Sequence, residues 1–576
     1  MNNAEVVKIL QDIADLLELK GENVFKVRAY QKAARSIEFL SEDVEKLVRE
    51  NRLREVPGIG EAIEKKITEL INTGKLEYYE KLKAEFPEGI GSLLEIPGIG
   101  PRTALILTRE LGITSVDELE KAIEDGRVAR LPRMGEKTAQ NILHQLRLLR
   151  KKKSEQRVPL GIALPVAESL VEAMRDIPGL KNLTPAGSLR RFRDTIGDID
   201  LIGTADNPEE AIEAFVRLPQ VKEILEKGST KASLIITENF QVDLRLVDHD
   251  SFGSALQYAT GSKQHNIELR KRAERMGLSL SEYGITNLAT GQLEKYATEE
   301  AFYRRQGLSY IPPEIREGQH EIELAEKNAL PDLVEISDIK GDLHIHTDWS
   351  DGRDSLETMI KAALDKGYQY IAISDHSGGL AIAHGLNTER LQQQIQKIRE
   401  INHLFPDIQI MTAAEVDIRV NGTLDLPDEI LAQLDVVLAS IHSAMNQSEE
   451  QMTQRVIKAI ENPHVDIICH PTARLLGERE PIALNIEAVF KAAVENRKAL
   501  EISAMPQRLD LKDTHIFQAR EMGVKLVINT DAHSREQLDC MRFGVGIARR
   551  GWCEPGDILN TLPLKEFKKF LNRPSD

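Results

Sequence analysis

The sequence predicts a multidomain protein that joins an α+β half to an α/β half. Three observations carry this. The chain has 576 residues, and a single hydrophobic core stops growing near ~250–300 residues. A Pro-Gly-x-Gly phrase recurs before helical patterns in the first part: Pro57-Gly58-Ile59-Gly60, then Pro97-Gly98-Ile99-Gly100 forty residues on. After residue 340 short apolar runs alternate with helical patterns, which is α/β periodicity.

The net charge of −17 argues against a uniformly basic coat, yet ten Lys or Arg against two Glu fall between Gly126 and Arg157, a local balance of +8. Cys469, Cys540 and Cys553 have no paired spacing, so neither a disulfide framework nor a cysteine zinc site is expected. The start lacks a signal-peptide pattern, and no apolar run reaches the ~18 residues of a membrane span. A soluble, cytoplasmic protein is the expectation.

From Ala4 to Leu19 and from Phe25 to Glu50 the apolar spacing is helical, broken at Gly21-Glu22-Asn23 and near Ser41. The glycine phrases follow, with a looser third copy at Leu131-Pro132-Arg133-Met134-Gly135. Glycines there permit positive φ, and the helix start beyond presents free N–H groups that suit a phosphate. Contacts of that kind hold nucleic acid by its backbone without reading bases. Gly58, Gly60, Gly98, Gly100 and Gly135 are the candidate DNA-binding positions, and the segments resemble helix-hairpin-helix motifs of DNA repair proteins. Lys66, in the helix after the first phrase, is placed to form a Schiff base with an abasic sugar.

The stretch Ala186–Ile202, AGSLRRFRDTIGDIDLI, holds a Gly-Ser pair, an arginine pair and two aspartates one residue apart, and reads as a nucleotidyl-transfer centre. Its last part alternates like a half-buried strand, which puts Asp198 and Asp200 on one face. Carboxylates that close repel, and a hard divalent cation shared with substrate phosphates relieves them. Asp243, on the polar face of Phe240–Val247, supplies the third. Gly187 and Ser188 open a helix whose N–H groups, with Arg191, suit a triphosphate. The layout is that of two-cation phosphoryl transfer, with Mg2+ or Mn2+ at the three aspartates. Farther on, Tyr258-Ala259-Thr260-Gly261-Ser262 reads as a turn, followed by Asn266 and Arg270 four apart on a helix.

GSLRR with GDID, Asp243 and YATGSKQHN are similar to family X DNA polymerases, the group containing DNA polymerase beta, over roughly residues 1–317. The resemblance implies a nucleotidyltransferase-type palm. It implies that Ser188 and Arg191, with Gly187 and Gly261, bind the incoming dNTP, that Tyr258 screens its sugar, that Asn266 contacts the base or the template side and that Arg270 lies near the template. Lys66 falls where that family keeps its lyase lysine. Two departures stand out: Ala259 replaces the aromatic that follows the tyrosine in polymerase beta, and Ala62 replaces a phosphate-binding lysine one turn before Lys66.

Ten of the fourteen histidines lie after residue 340. His344, His346, His376, His442, His470 and His533 sit where apolar runs end, together with Asp351, Glu415 and Asp531. In an α/β barrel the C-terminal strand ends converge at one mouth, so groups nearly 200 residues apart would meet. Nine N and O donors without cysteine suit two to three Mn2+ or Zn2+ ions, with Glu415 as a bridge. These residues and the turn HTDWSDG look like a polymerase and histidinol phosphatase (PHP) domain, which implies a distorted (β/α)7 barrel and phosphoester hydrolysis.

The expected divisions are 1–86 helical and lyase-like, 87–157 helix-hairpin-helix, 158–250 palm, 251–317 nucleotide-selecting, 318–338 linker and 339–576 PHP phosphoesterase. The expected function is repair synthesis across short gaps, with 3′-5′ exonuclease trimming by the PHP domain and AP-endonuclease or 3′-end phosphoesterase action as alternative further activities of it. The partners would be gapped or primer-template DNA and dNTPs, bound by a monomer. The competing readings are a small-molecule nucleotidyltransferase fused to a phosphatase, and a DNA-binding scaffold without catalysis. The first prediction concerns Lys66: borohydride should trap the chain covalently on abasic DNA, and Lys66→Ala should abolish the adduct on a denaturing gel.

Overall fold

The computed structural model describes residues 3–20, 22–38, 44–50, 52–56, 58–84, 101–113, 116–131, 134–135, 139, 142–143, 157–380 and 383–571. The chain divides into two compact units, Met1–Gln156 and Arg157–Asp576. The described part of the first is helical: α1 (Asn3–Lys20), α2 (Val24–Glu38), α3 (Val44–Arg49), α4 (Glu61–Thr73), α5 (Glu77–Ala84), α6 (Pro101–Leu111) and α7 (Val116–Glu124). Helix α4 shows why. Ile63, Ile67 and Leu70 recur at helical spacing and are buried, and Gly74 ends the helix in the left-handed region, its N–H returned to the Leu70 carbonyl. Gly98, Gly100 and Ser41 lie outside the described residues.

The second unit begins with a five-stranded sheet of β1 (Leu180–Pro185), β2 (Ile199–Ala205), β3 (Val221–Lys227), β4 (Lys231–Ile236) and β5 (Gln241–Val247), ordered β1-β2-β5-β4-β3. Only β2 and β5 run parallel. Their inward residues, Ile199, Leu201, Val242, Leu244 and Leu246, join the core beneath helices Leu160–Ala173 and Pro208–Val216. Next come helices Phe252–Thr260, Lys263–Arg275 and Glu299–Arg305, with a small antiparallel sheet at Leu278–Ser281, Gly284–Asn287 and Leu293–Glu294.

Tyr258 and Ala259 belong to the last turn of helix Phe252–Thr260 rather than to a loop. Phe252, Ala255, Leu256 and Ala259 pack at helical spacing against Ala186 and Ile202, which prolongs the helix. The reversal is left to Gly261, at φ 69°, and Ser262. The connector after Gly318 is also packed: helix Glu321–Glu326 buries Glu321 and Ala325, and Leu333, Val334 and Ile339 are buried beyond it.

Seven parallel strands follow, neighbours in chain order: β6 (Gly341–Ile345), β7 (Tyr370–Ile373), β8 (Gln409–Asp417), β9 (Val436–Ser440), β10 (Ile467–Ile468), β11 (Ala499–Ser503) and β12 (Lys525–Asn529). A bridge between Ile345 and Ala532, with the His346 N–H 2.8 Å from the Ala532 carbonyl, brings the first strand to the last and nearly closes a barrel. Its interior is filled by Leu343, Ala372, Met411, Val436, Leu438, Cys469 and Val527, with Phe567 stacked 5.2 Å from Tyr370.

The palm sheet and the barrel share one hydrophobic cluster. Gly161 and Gly546 are requirements of that contact: a Cβ on either would lie 2.0 Å from Pro506 or from the Phe192 ring. Within the polymerase-like half, Glu299 is buried between Arg190, at 2.6 and 3.0 Å, and Arg316, at 2.6 Å, whose guanidinium lies over the Tyr303 and Tyr310 rings. Burial raises a carboxyl, but the two guanidinium charges outweigh it and hold Glu299 down to about 2.

The folded value lies below that of a free glutamate, ~4.3, so the stability it adds is complete above that pH and is lost as pH falls through about 2. Acid unfolding of the unaltered chain should therefore include a loss of about 3 kcal/mol between pH 5 and 2. Glu299→Gln should lack that acid-dependent part and be less stable at pH 7 by about 3–5 kcal/mol, the cost of a broken buried pair. Urea unfolding across that pH range measures both.

Candidate functional site

Parallel pairing sets Asp200 opposite Asp243, and Asp198 precedes the strand by one residue. Gln241 Nε2 lies 3.2 and 2.9 Å from the two Asp243 oxygens and fixes their plane. Gly187 is tied to the same place. It sits at φ 58°, and a Cβ there would lie 2.1 Å from Asp200 Oδ2, so no larger residue fits beside the carboxylate. Ser188 follows it in the four-residue helix Gly187–Arg190.

Arg191 is nearly buried, donating from Nε to Glu317 at 3.2 Å and from Nη1 to the Thr260 carbonyl. A Cβ on Gly261 would lie 3.2 Å from that Nη1, so the Thr260-Gly261 turn and the arginine are one assembly. Tyr258 is 39% exposed, enough for its ring to meet a ligand, and Arg270 lies 5.9 Å from that ring's centroid. Asn266 is turned inward: its Nδ2 donates to the Tyr258 carbonyl at 2.8 Å and its Oδ1 accepts from Gln257 at 2.8 Å.

In the first unit, Lys66 Nζ lies 4.6 Å from the Tyr78 ring centroid, and Tyr78 stacks on Tyr30. Partial burial and the nearby Lys26 charge lower its pKa, which favours the nucleophilic free amine. It lines an open cleft of about 640 Å³ with Glu61, Ala62, Lys65, Glu69 and Tyr78. Gly58 is at φ 93° against the Lys32 side chain, and Gly60 caps α4, whose first turn carries Glu61 and Glu64, both paired with Arg54. Among the described residues, nothing lies within 4 Å of a Cβ built on Gly135.

All nine donors at the barrel strand ends meet at one mouth. His376 Nδ1, His442 Nε2 and His470 Nε2 lie 2.8, 3.2 and 3.0 Å from the Glu415 oxygens. His346 Nε2 is 3.2 Å from Asp531, and Asp351 stands 3.4 Å from His533 and 3.6 Å from His376. Burial, with His533 and His376 alongside, holds His346 down to about 3. His442 goes the other way: Glu415 and Asp417 override burial and push it up to about 10. Glu415 and Asp531 are held well below the usual carboxylate range, because the imidazoles around them outweigh their burial.

Four further residues take part. Glu501 accepts from His344 Nδ1 at 2.7 Å and Asp417 from His442 Nδ1 at 2.7 Å, each turning the other ring nitrogen toward the mouth. Cys469 stands with His344 and Glu501, and Arg508 Nε is 3.6 Å from Asp531. The readable signal was an acid inside an apolar run, in ALEIS and in AAEVD; Cys469 and Arg508 carry no such mark.

Among the described residues, five atoms here are buried without a well-aligned hydrogen bond: His344 Nε2, both ring nitrogens of His346, Glu415 Oε2 and His470 Nδ1. Such burial costs roughly 2–7 kcal/mol per group unless something else binds it. Among the described residues, four groups of three or more donor atoms lie within 4.8 Å of one another, including His346, Asp351, His376 and His533. The donor set fits divalent cations. Mn2+ added to chelator-treated protein should raise its thermal midpoint, by about 2.7 kcal/mol of stability at a hundredfold excess over Kd; calorimetry should show the rise reduced in His344→Ala.

Family models match a helix-hairpin-helix domain at residues 1–76, a SAM-like helix-hairpin-helix tandem at 90–148, a DNA polymerase beta thumb at 255–317 and a PHP domain at 342–504. A probable phosphatase of Thermoanaerobacter sp. (strain X514) is 35% identical over 243 residues, 40% of this chain and 93% of its own. One of Acetivibrio thermocellus is 30% identical over 250 residues, 41% of this chain and 96% of its own. The DNA polymerase/3'-5' exonuclease PolX of Bacillus subtilis (strain 168) is 41% identical over 575 residues, 100% of both chains. With helix-hairpin-helix segments, a polymerase beta thumb and a PHP barrel in one chain, this protein belongs to the PolX family of DNA polymerase/3'-5' exonucleases.

Proposed function

We propose that the chain extends DNA 3′ ends from dNTPs at Asp198, Asp200 and Asp243, and removes 3′ nucleotides by phosphoester hydrolysis at the barrel mouth. The observation that carries it is the presence of two separate carboxylate centres, the in-register Asp200–Asp243 pair and the Glu415 cluster, within a chain of the PolX family. Divalent cations, Mg2+ or Mn2+ at the first and two to three Mn2+ or Zn2+ at the second, would make the attacking oxygen nucleophilic and neutralise charge on the phosphate.

The chain's own residues do the positioning. At the synthetic centre Gln241 orients Asp243 and the Gly187 turn closes on Asp200. Ser188 and Arg191 receive the triphosphate, exposed Tyr258 faces the sugar, and Asn266 and Arg270 stand beside it. The sites of the dNTP, with Gly261 at the turn, lie on the Ala186–Ile202 and Phe252–Arg275 segments. At the hydrolytic centre Glu501 and Asp417 set the tautomers of His344 and His442, and Arg508 adds a cation for a phosphate oxygen.

The helix-hairpin-helix glycines hold the DNA backbone, which suits gapped or primer-template DNA in repair. The divisions 1–86, 87–157, 158–250, 251–317, 318–338 and 339–576, a monomeric state and a cytoplasmic location belong to the same reading. No helix among the described residues is long and apolar enough to cross a membrane. Hydrolysis of 3′-phosphate ends is a second reaction of the barrel, favoured by its likeness to the probable phosphatases. A lyase step at Lys66 is favoured by its lowered pKa and its place on the wall of an open cleft.

A gapped primer-template with Mn2+, with and without dNTPs, tests the two-centre reading. Asp198→Ala should lose extension by about a hundredfold or more, as removal of a cation-holding charge does, and keep 3′ degradation. His344→Ala should do the reverse. Loss of both activities in either variant would defeat separate centres.

A further inference from the structure

We infer that Arg550, a residue of the barrel half, is a positioning residue for nucleotide binding by the synthetic half, because it holds both the backbone and the guanidinium partner of Arg191. The inference rests on the reading that Arg191 contacts the triphosphate. Arg550 ends the helix Met541–Arg550 and its side chain is 2% exposed. Its Nη1 donates to the Arg191 carbonyl at 2.6 Å and to Glu317 Oε1 at 2.9 Å. Its Nε and Nη2 donate to Asp513 Oδ2 at 2.9 and 2.5 Å. Glu317 Oε1 is the atom that also accepts from Arg191 Nε, so an unbroken chain runs from Asp513 of the barrel to Arg191 of the palm.

Charge gives this chain a consequence. Glu317 is held below the usual carboxylate range chiefly by Arg550 and then by Arg191, against the opposing effect of its burial. Shared between two guanidinium groups, Glu317 does not cancel the charge of Arg191. Arg191 Nη2 makes no hydrogen bond among the described residues, which leaves a donor for an anion. If Arg550 were absent, Glu317 would have Arg191 as its main partner, and both the net positive charge and the fixed carbonyl would be lost.

The surrounding contact is built for the same purpose. Phe192, next in the chain, is held at φ 52°, a region costly for a side chain of its size. Its ring lies where any side chain on Gly546 would collide, 2.0 Å from a Cβ there. Two residues on, Asp194 pairs with Arg474 of the barrel at 3.1 Å. Three of four consecutive residues, Arg191, Phe192 and Asp194, are thus gripped by the barrel half.

The test uses the full chain in single-nucleotide gap filling, with 3′ exonuclease measured in parallel without dNTPs. Arg550→Lys keeps a charge but not the forked geometry, and Asp513→Asn loosens the far end of the chain with less risk to folding. Both should raise KM for dNTP, about tenfold for Arg550→Lys, the scale of one hydrogen bond to a charged group. In each, kcat and exonuclease should change less than about threefold. Arg550→Lys added to Arg191→Ala should give no further rise, since the two act through one contact.

An unchanged KM in both barrel variants, with a raised KM in Arg191→Ala, would overturn the positioning role while leaving the triphosphate reading intact. An unchanged KM in Arg191→Ala would overturn that reading and this inference with it. Equal loss of gap filling and exonuclease in both barrel variants would make the contact a general brace and overturn the inference too.

Discussion

A buried carboxylate must be met by positive charge, and the second unit is arranged around that demand. Glu299 lies between Arg190 and Arg316, Glu317 between Arg191 and Arg550, and Glu415 among His376, His442 and His470. The first two are satisfied by guanidinium groups that never lose their charge, and they fix structure. The third is satisfied by imidazoles, which can exchange a proton for a metal ion, and it lies in the donor cluster at the barrel mouth. The same acid serves different ends according to the cation beside it.

Removing an ion from water costs several kcal/mol unless its partners are well placed. These pairs therefore constrain geometry more than they add net stability. Arg190 and Arg191 are adjacent, yet one is committed to Glu299 in the thumb-like segment and the other to Glu317 and, through it, to the barrel. The short helix Gly187–Arg190 and the residues after it are thereby anchored from two directions, with Asp200 beneath. Strand pairing alone would place the aspartates; the ion pairs place what faces them.

The donor cluster at the barrel mouth depends on a different device, the convergence of parallel strand ends. Six of the seven strands lead to one or two donors at or near the end of an apolar run, and near-closure through Ile345 and Ala532 brings His344 and His346 beside Asp531. Glu501 and Asp417 stand behind these donors and decide which ring nitrogen faces inward. Along the chain a strand whose acid orients another ligand differs from any buried strand only in that one acid, as in ALEIS, a weaker mark than His-x-His.

Periodicity and residue type by themselves determined much: the helices of the described part of the first unit, the period-two alternation from Asp198 to Ile202, and the histidines and acids that the barrel gathers at its mouth. These are local properties, set by side-chain direction along a strand or helix. Tertiary structure alone decided that Asp243 lies in register with Asp200, that packing against Ala186 and Ile202 carries Tyr258 into a helix, and that Asn266 turns inward. It alone brought Arg550 to Arg191, residues 359 apart. Pairings across such separations depend on which surfaces exclude water together, and that is a property of the folded chain rather than of any stretch within it.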